Sequence, residues 1–420
     1  MPAPQPRISI IGAGLAGLGL AQGLKQSGIP FHIFERDTSA SFRAQGYRIR
    51  IGPDGAAAIK RLLPVHLWKA FEATSAEIVH GGHQLDVLTG EESDWMIGRR
   101  GPPPGMGEGR AYNVDRAVLR DVLLSGLEND ISFGKKFERF EVVGEQEVVV
   151  HFADGSSERG SFLVGADGVR SVVRKNLLPD MTVLDTEGRA VFGKTVITDE
   201  VLKEMHPLIG HGITVTAPNV DPRIRLFCDG MRFNREQAAP FENQLGIHVP
   251  ADYIYWVLVF RSDVVSPEDE ANLLQLSNEQ SAQKSIELTS HWHEQLRAVM
   301  KHQEVDAAST LAILTASADF VFTWASKPAE TRPCVTLIGD SAHPAPPVGG
   351  IGANAGFQDA ADLCDALMKL GETGATQLIN AFEVKMLERA KFAVEKGVVG
   401  GGHFFVMKPV SELKPAVVWH

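Results

Sequence analysis

The sequence of 420 residues has few cysteines, no long apolar run and a deficit of positive charge. Its three cysteines, Cys228, Cys334 and Cys364, are too widely spaced for a disulfide framework or a zinc site, so we predict no metal. No apolar run approaches the roughly 20 residues of a membrane-spanning helix, so we expect no membrane partner. Lys and Arg number 41 against 52 Asp and Glu, and the net charge of −11 excludes nucleic acid as a main partner.

The N-terminus has the pattern of a first strand rather than of a targeting segment. A single positive charge, Arg7, directly precedes the apolar run Ile8–Ile11, with no cleavage-type spacer. We therefore expect a cytoplasmic protein.

Glycine is the residue that the sequence has in excess, with 41 positions against an average usage of roughly 7%. The glycines are clustered behind short apolar runs of buried-strand type, at residues 12–19, 165–168 and 339–356. A further group, Gly400–Gly402, near the C-terminus has no role that we can derive beyond a flexible link.

The first cluster has the G-x-G-x-x-G spacing between a predicted strand and a predicted helix, Leu15–Gln26. In this context the glycines allow a tight turn and a close approach of the backbone to a pyrophosphate. An acidic residue about 20 positions further on, after the predicted strand Phe31–Phe34, accepts ribose hydroxyls and favours FAD or NAD over NADP. We predict dinucleotide contacts from Gly12, Gly14, Leu15, Ala16, Gly17, Glu35 and Arg36.

The second cluster contains Gly165-Ala166-Asp167-Gly168, and the third contains Gly339-Asp340-Ser341-Ala342-His343-Pro344 followed by Gly349-Gly350-Ile351-Gly352-Ala353-Asn354. With these three motifs in this order, the chain resembles the FAD-dependent aromatic hydroxylases, the group A flavoprotein monooxygenases of the p-hydroxybenzoate hydroxylase type. The resemblance covers nearly the whole chain. It adds these residues to the expected FAD site: Arg48, Arg116, Asp167, Asp340, Gly350, Gly352, Ala353 and Asn354. Tyr47 and Arg48, where the family has small residues, and Ile351, where it has Gln, depart from the pattern.

The resemblance implies an FAD-dependent monooxygenase with NAD(P)H as co-substrate. It would insert one oxygen atom from O2 into an electron-rich, aromatic or polycyclic small molecule, through a C4a-hydroperoxyflavin. Two alternatives stay open: an FAD-dependent oxidoreductase without oxygen transfer, and a Baeyer–Villiger or epoxidase variant. A halogenase is disfavoured because the sequence lacks Trp-x-Trp-x-Ile-Pro, and an FAD-bound regulator because the flavin-edge loop is intact.

The predicted fold is α/β, with a Rossmann-like FAD-binding domain built from discontinuous segments and interrupted by a sheet-rich substrate domain. We predict the FAD-binding domain from residues 1–75, 105–180 and 296–400, the substrate-binding domain from residues 76–104 and 181–295, and a C-terminal extension from residues 401–420. Helices are predicted over Val114–Leu127, Glu279–Lys301, Gly352–Leu370 and Thr376–Glu395.

The substrate is expected between the flavin and the middle sheet. Candidate lining residues are Arg189, Lys194, Arg223, Arg225, Tyr253, Tyr255 and Trp256. Because side chains alternate along a strand, about half of them must point away from the site. Arg189 is the predicted catalytic residue, as the group that orients a phenolate or carboxylate.

Overall fold

The chain forms a mixed α/β structure, as the sequence predicts, with two main sheets. The computed structural model describes residues 7–40, 47–93, 109–143, 147–217, 220–317, 324, 334–347, 350–370, 375–404 and 407–416. The predicted boundary between residues 104 and 105 lies outside these residues.

Helices separate many of the strands, but five strands follow one another directly between residues 131 and 165. The strands are β1 (Ile8–Ile11), β2 (Phe31–Phe34), β3 (Arg48–Ile51), β4 (Gly82–Leu85), β5 (Glu92–Ser93), β6 (Tyr112–Asp115), β7 (Ile131–Ser132), β8 (Phe137–Val142), β9 (Val148–Phe152), β10 (Ser157–Gly160), β11 (Phe162–Gly165), β12 (Val183–Val196), β13 (Ile213–Thr216), β14 (Ile224–Met231), β15 (Tyr253–Arg261), β16 (Ser309–Ala316), β17 (Val335–Leu337) and β18 (Lys414–Pro415).

The helices cover both sheets and carry several of the predicted site residues. They are α1 (Leu15–Gln26), α2 (Pro53–Leu62), α3 (Val65–Ala73), α4 (Arg116–Leu124), α5 (Val172–Leu177), α6 (Asp199–Glu204), α7 (Arg235–Leu245), α8 (Pro267–Asn272), α9 (Asn278–Leu288), α10 (Glu294–Lys301), α11 (Ile351–Leu367) and α12 (Ala375–Phe404).

The first sheet has five parallel strands in the order β17-β11-β1-β2-β7. Its central strands are buried along their length, which is why they are continuous apolar runs in the sequence. Helices α1 and α11 pack against each other beside this sheet. Each of the three glycine clusters directly follows one of its strands, β1, β11 or β17, so parallel pairing brings the three clusters to one edge.

The second sheet has the strand order β16-β12-β15-β14-β13-β4-β5, with β18 added to β12. Side chains alternate between its two faces. We call the face that carries Phe192, Phe227 and Tyr255 the inner face, because it belongs to the same apolar core as the first sheet. The outer face, which carries Val191, Leu226 and Trp256, forms a separate core with other residues, including Leu273 and Leu296.

Three predicted helices differ from the observed ones in how they begin, divide or end, whereas the predicted Gly352–Leu370 is observed as Ile351–Leu367. Val114 and Asp115 end a strand, and α4 begins at Arg116 because the Asp115 carboxylate accepts from the N–H groups of Ala117 and Val118. The segment 279–301 is two helices, α9 and α10, separated by residues 289–293. Helix α12 is longer than predicted and includes Gly400–Gly402, so these glycines are not a flexible link.

The larger sheet also extends beyond the predicted substrate-binding segments. β16, at residues 309–316, pairs with β12, and α10 contributes to the outer-face core, although we expected residues 296–400 to belong to the FAD-binding part. Part of the expected C-terminal extension, β18, joins the same sheet. None of the described helices is both long and apolar enough to cross a membrane.

Candidate functional site

The first glycine cluster is packed too closely for side chains at two of its positions. A Cβ on Gly12, at φ +106°, would lie 2.5 Å from the Ala166 carbonyl oxygen, and one on Gly17 would lie 2.2 Å from that of Gly12. At Gly14 the nearest atom would be 3.9 Å away. Gly12 and Gly17 therefore serve the fold, whereas Gly14 leaves open space beside the N-terminus of α1, where a pyrophosphate fits.

Glu35 holds the glycine turn from the end of β2. Its carboxylate accepts from the N–H of Ala13 at 2.6 Å and from that of Asp37 at 2.9 Å, one bond on each oxygen. Each oxygen keeps a further lone pair for a ribose hydroxyl. The neighbouring Arg36 is exposed.

Leu15 and Ala16 form the half-buried first turn of α1. The Ala16 Cβ lies 3.2 Å from the position of a Cβ on Gly339 and 3.4 Å from one on Gly356. Glycines of the third cluster thus allow the loop after β17 and helix α11 to approach α1 closely.

Asp167 holds loops together within the protein. One carboxylate oxygen accepts from the N–H groups of Val172 and Val173, at 2.7 and 3.2 Å. The other accepts from the hydroxyls of Ser171 and Ser341. Asp167 therefore fixes the start of α5 and joins the second glycine cluster to the third.

Arg174 was not among the predicted site residues, yet it forms a further link between the same two clusters. It is buried on α5 and donates to the carbonyls of Ser341 at 2.8 Å and of Val169 at 2.6 Å. Burial lowers its pKa to about 10. The only sequence signal was an arginine in the short helix that follows the Asp-Gly motif.

Asp340 differs from its neighbours in exposure. Residues 334–339 and 341–344 are buried, whereas Asp340 is exposed. Protein atoms around the carboxylate reduce its hydration and raise its pKa. Among the described residues, no side chain or backbone group forms a hydrogen bond to this carboxylate, so it is available to accept bonds from a ligand's hydroxyls.

The start of α11 lies beside Asp340. A Cβ on Gly352 would be 3.4 Å from Asp340 Oδ1, and Gly350, at φ +74°, would place a Cβ 2.3 Å from the Arg50 carbonyl oxygen. Asn354 donates to that same carbonyl at 2.9 Å and accepts from the Gly52 N–H at 2.8 Å. Asn354 therefore joins α11 to the end of β3, while the N–H groups of the first turn, which includes Ala353, have no partner within the helix.

Arg48 and Arg116 contact aromatic rings near this point. Arg48 forms a 2.7 Å ion pair with the buried Asp229 and lies 5.6 Å from the centre of the Phe227 ring. Arg116 lies 5.6 Å from the centre of the Tyr47 ring, and Tyr47 stacks on Phe192 at 5.2 Å. Both arginines thus connect the FAD-side segments to the inner face.

Arg189 lies on the outer face, away from these residues. Its guanidinium bonds to Asp185 at 2.8 Å and to Glu270 of α8 at 2.8 Å. Burial alone would lower its pKa, but the two carboxylates outweigh that effect and raise it. The alternation of β12 is the reason: Arg189 is an odd number of residues from Phe192. Trp256 is also on the outer face, bonded to Thr195 at 3.1 Å.

His343 and Asp359 form a buried pair behind the third cluster. His343 Nε2 lies 2.6 Å from Asp359 Oδ2, which also accepts from the Gly339 N–H at 3.0 Å. Arg389 of α12 bonds to the other oxygen of Asp359. This network fixes the loop that presents Asp340.

These positions fit FAD in its charge and its shape. The open position at Gly14 and the N-terminus of α1 suit a pyrophosphate, the unpartnered Asp340 carboxylate suits ribityl hydroxyls, and the first turn of α11 suits an electron-rich ring edge.

Comparisons with known proteins agree with this fit. A family model described as FAD binding domain matches residues 118–396, and one described as NAD(P)-binding Rossmann-like domain matches residues 10–75. The dual O-methyltransferase/FAD-dependent monooxygenase elcB of Phaeosphaeria nodorum is 33% identical over 451 residues, covering 97% of this chain and 47% of that protein. The chain thus spans about half the length of this curated relative.

Two further matches cover most of both chains. The FAD-dependent monooxygenase phnB of Penicillium herquei is 26% identical, over 96% of this chain and 91% of that protein. The structure of Klebsiella pneumoniae HpxO with FAD and uric acid has a TM-score of 0.69 at 20% identity, over 93% of this chain and 87% of that one, and shares the fold. Since the first family model matches more than half of the residues, the chain belongs to the family that this model describes, the FAD binding domain family.

Proposed function

We propose that this chain catalyses the NAD(P)H- and O2-dependent insertion of one oxygen atom into an electron-rich aromatic or polycyclic small molecule. The observation that carries the proposal is the Asp340 carboxylate, open and unpartnered among the described residues, beside the first turn of α11. Bound FAD would supply the chemistry of reduction by a pyridine nucleotide and of oxygen activation. The chain supplies binding, orientation and exclusion of water.

Different residues would bind the two halves of the cofactor. Gly14 and the start of α1 would hold the pyrophosphate, and Glu35 the adenosine ribose. Asp340 would accept from the ribityl hydroxyls. The N–H groups of Gly352 and Ala353, at the positive end of α11, would stabilise negative charge on the ring.

The inner face of the larger sheet is the proposed substrate wall. Phe192, Phe227 and Tyr255 lie on it, and Tyr47 stacks against Phe192. Stacked rings of this kind favour a flat aromatic ligand and exclude water. The outer-face Arg189 has no part in this proposal.

Occupancy by FAD and oxygen transfer can be measured separately. The purified chain should be yellow, with flavin absorption bands, and Asp340→Ala should lose most of its FAD while keeping its far-UV circular dichroism. Asp365→Ala, on the exposed side of α11, is the matched control and should keep FAD. Normal occupancy in Asp340→Ala contradicts the assignment of this residue.

For the reaction, NADH and NADPH oxidation should be followed with phenols, aromatic acids and polycyclic compounds. We expect a product heavier by one oxygen atom. Peroxide as the sole product favours an oxidoreductase without oxygen transfer, and a ring-expanded or epoxide product favours the Baeyer–Villiger or epoxidase alternative.

A further inference from the structure

The arginines of the larger sheet differ in whether a carboxylate neutralises them. Arg189 pairs with Asp185 and Glu270, and Arg261, on the strand next to β14, pairs with Asp263 at 2.6 Å. Arg48, which contacts the sheet from β3, pairs with Asp229. Arg225 of β14 has no carboxylate partner in the part of the chain that the structure describes.

Arg225 lies on the inner face. It pairs in register with Val259 and is two residues from Phe227, and both belong to the inner-face core. Its flanking residues, Ile224 and Leu226, belong to the outer-face core. The alternation of β14 therefore directs the guanidinium toward the same side as Phe192 and Tyr255.

The environment of Arg225 leaves a hydrogen-bond donor unused. The residue is half-buried, its Nη1 is buried without a partner, and burial alone lowers its pKa. A buried donor without an acceptor is costly, and a buried cation without a counter-charge more so. A ligand that brings an anionic oxygen would remove both costs.

A second unsatisfied group lies on the same face. Gln84 of β4 is 5% exposed, and its Oε1 is buried without a partner among the described residues. Val215 of β13 pairs with Gln84 on one side and with Phe227 on the other, which aligns Gln84 with the inner face. From strand spacings, the Gln84 and Arg225 backbones are roughly 12 Å apart, since two strand spacings separate them across the sheet and two residues along it.

We propose that Arg225 binds an anionic oxygen of the substrate, a carboxylate or a phenolate on an aromatic ring system, and that Gln84 accepts a hydrogen bond from a hydroxyl of the same molecule. The inference rests on the proposed function and narrows its substrate class to acidic aromatic compounds. Arg225 takes the role that the sequence led us to expect of Arg189. Both groups are satisfied only when such a ligand is bound.

The test measures binding to the FAD-loaded protein with three probes that share one skeleton: 2-naphthoate, its methyl ester and 2-naphthol. We expect the wild-type protein to bind 2-naphthoate about 10- to 100-fold more tightly than the ester, the range for a hydrogen bond to a charged group, or to bind 2-naphthol as naphtholate, seen in its absorption spectrum. The first result identifies a carboxylate and the second a phenolate.

Three variants assign the selectivity to Arg225. Arg225→Met should lose the preference for the anion while its affinity for the ester changes less than about twofold, and Arg225→Lys should keep most of the preference. Arg261→Met removes the same charge from the next strand, where Asp263 already neutralises it, and should behave as wild type. Gln84→Leu should weaken binding of a fourth probe, 6-hydroxy-2-naphthoate, more than that of 2-naphthoate, because only the former carries a hydroxyl besides its anionic oxygen.

The outcomes separate this inference from the function on which it rests. A chain that takes up no FAD contradicts the proposed function. FAD-loaded wild-type protein that binds neither anion in preference to the ester, or an Arg225→Met variant that retains the preference, overturns only the assignment of Arg225.

Discussion

The five-stranded parallel sheet and the larger mixed sheet use opposite means to prepare a binding surface. At the edge of the five-stranded sheet, the binding surface consists mainly of backbone groups, because glycines bring loops and helix N-termini close together. On the larger sheet, the binding surface consists of side chains. Strand β12 places Arg189 on the outer face and Phe192 on the inner face. Backbone sites leave glycine motifs in the sequence, whereas side-chain sites depend on which residues point inward.

The largest effect should come from breaking the backbone side of this comparison. Gly17→Val should lower the free energy of unfolding by at least about 3 kcal/mol, because its Cβ would lie 2.2 Å from the Gly12 carbonyl oxygen. Gly14→Ala, with 3.9 Å of clearance, should change that free energy by less than about 1 kcal/mol but weaken FAD binding about tenfold. Urea unfolding without FAD and flavin titration measure the two quantities. Equal loss of stability in both variants would contradict the assignment of Gly17 to the fold and of Gly14 to cofactor binding.

The next effect concerns the contact between Asp115 and the inner face of the larger sheet. Asp115, at the start of α4, accepts from Lys194 at 2.6 Å and from Tyr253 at 2.9 Å, both on the inner face. Lys194→Met leaves a buried carboxylate without its cation and should cost about 3 kcal/mol of unfolding free energy. Tyr253→Phe removes one hydrogen bond and should cost about 1 kcal/mol. Urea midpoints check both values. A Lys194→Met variant as stable as wild type would show that the ion pair between Asp115 and Lys194 does not stabilise the contact between the two sheets.

A smaller effect should appear as a dependence of stability on pH. Burial alone would lower the pKa of His343, but Asp359 outweighs it and raises the pKa above 6.5. The pair therefore contributes stability that is complete below pH 6.5 and is lost as the pH rises through the folded-state pKa of His343. The pKa of Asp359 is lowered, so its contribution is present above pH 3.8 and is lost as the pH falls through its own folded-state pKa.

The measurement is the urea midpoint between pH 5 and pH 9, taken for wild type and for His343→Gln. Wild type should lose stability above about pH 6.5, and the variant should lack that part of the decline. Identical slopes in the two proteins would show that His343 is not the titrating group.

The smallest effect should come from Arg189. Arg189→Lys keeps a cation beside Asp185 and Glu270 but loses the paired geometry, so we expect about 1 kcal/mol of lost stability. The KM for an aromatic substrate should change less than about twofold, because the side chain is on the outer face. Steady-state kinetics check this value. A large rise in KM would show that Arg189 takes part in substrate binding, as the sequence predicts.

The sequence was sufficient for the elements whose signal is local. The strand Ile8–Ile11, the helix Leu15–Gln26 and the strand Phe31–Phe34 have the bounds expected from apolar runs and glycine spacing. It was insufficient where register decides. Nothing local distinguishes Arg189 from Arg225, since both are arginines within apolar strands, and only the pairing with β15 assigns each to a face. Arg174 escaped prediction for a related reason: its acceptors, Ser341 and Val169, are brought together only by the fold.

The hydrogen bonds that Asp167, Arg174 and Glu35 make within the protein bear on how the cofactor can be exchanged. These bonds need no ligand, so the loops should keep their shape when the flavin is removed, and rebinding requires little ordering of the chain. The chain should therefore accept synthetic flavins of altered redox potential after mild removal of its own. Such reconstituted forms would allow the electronic properties of the ring to be varied while the protein around it stays constant.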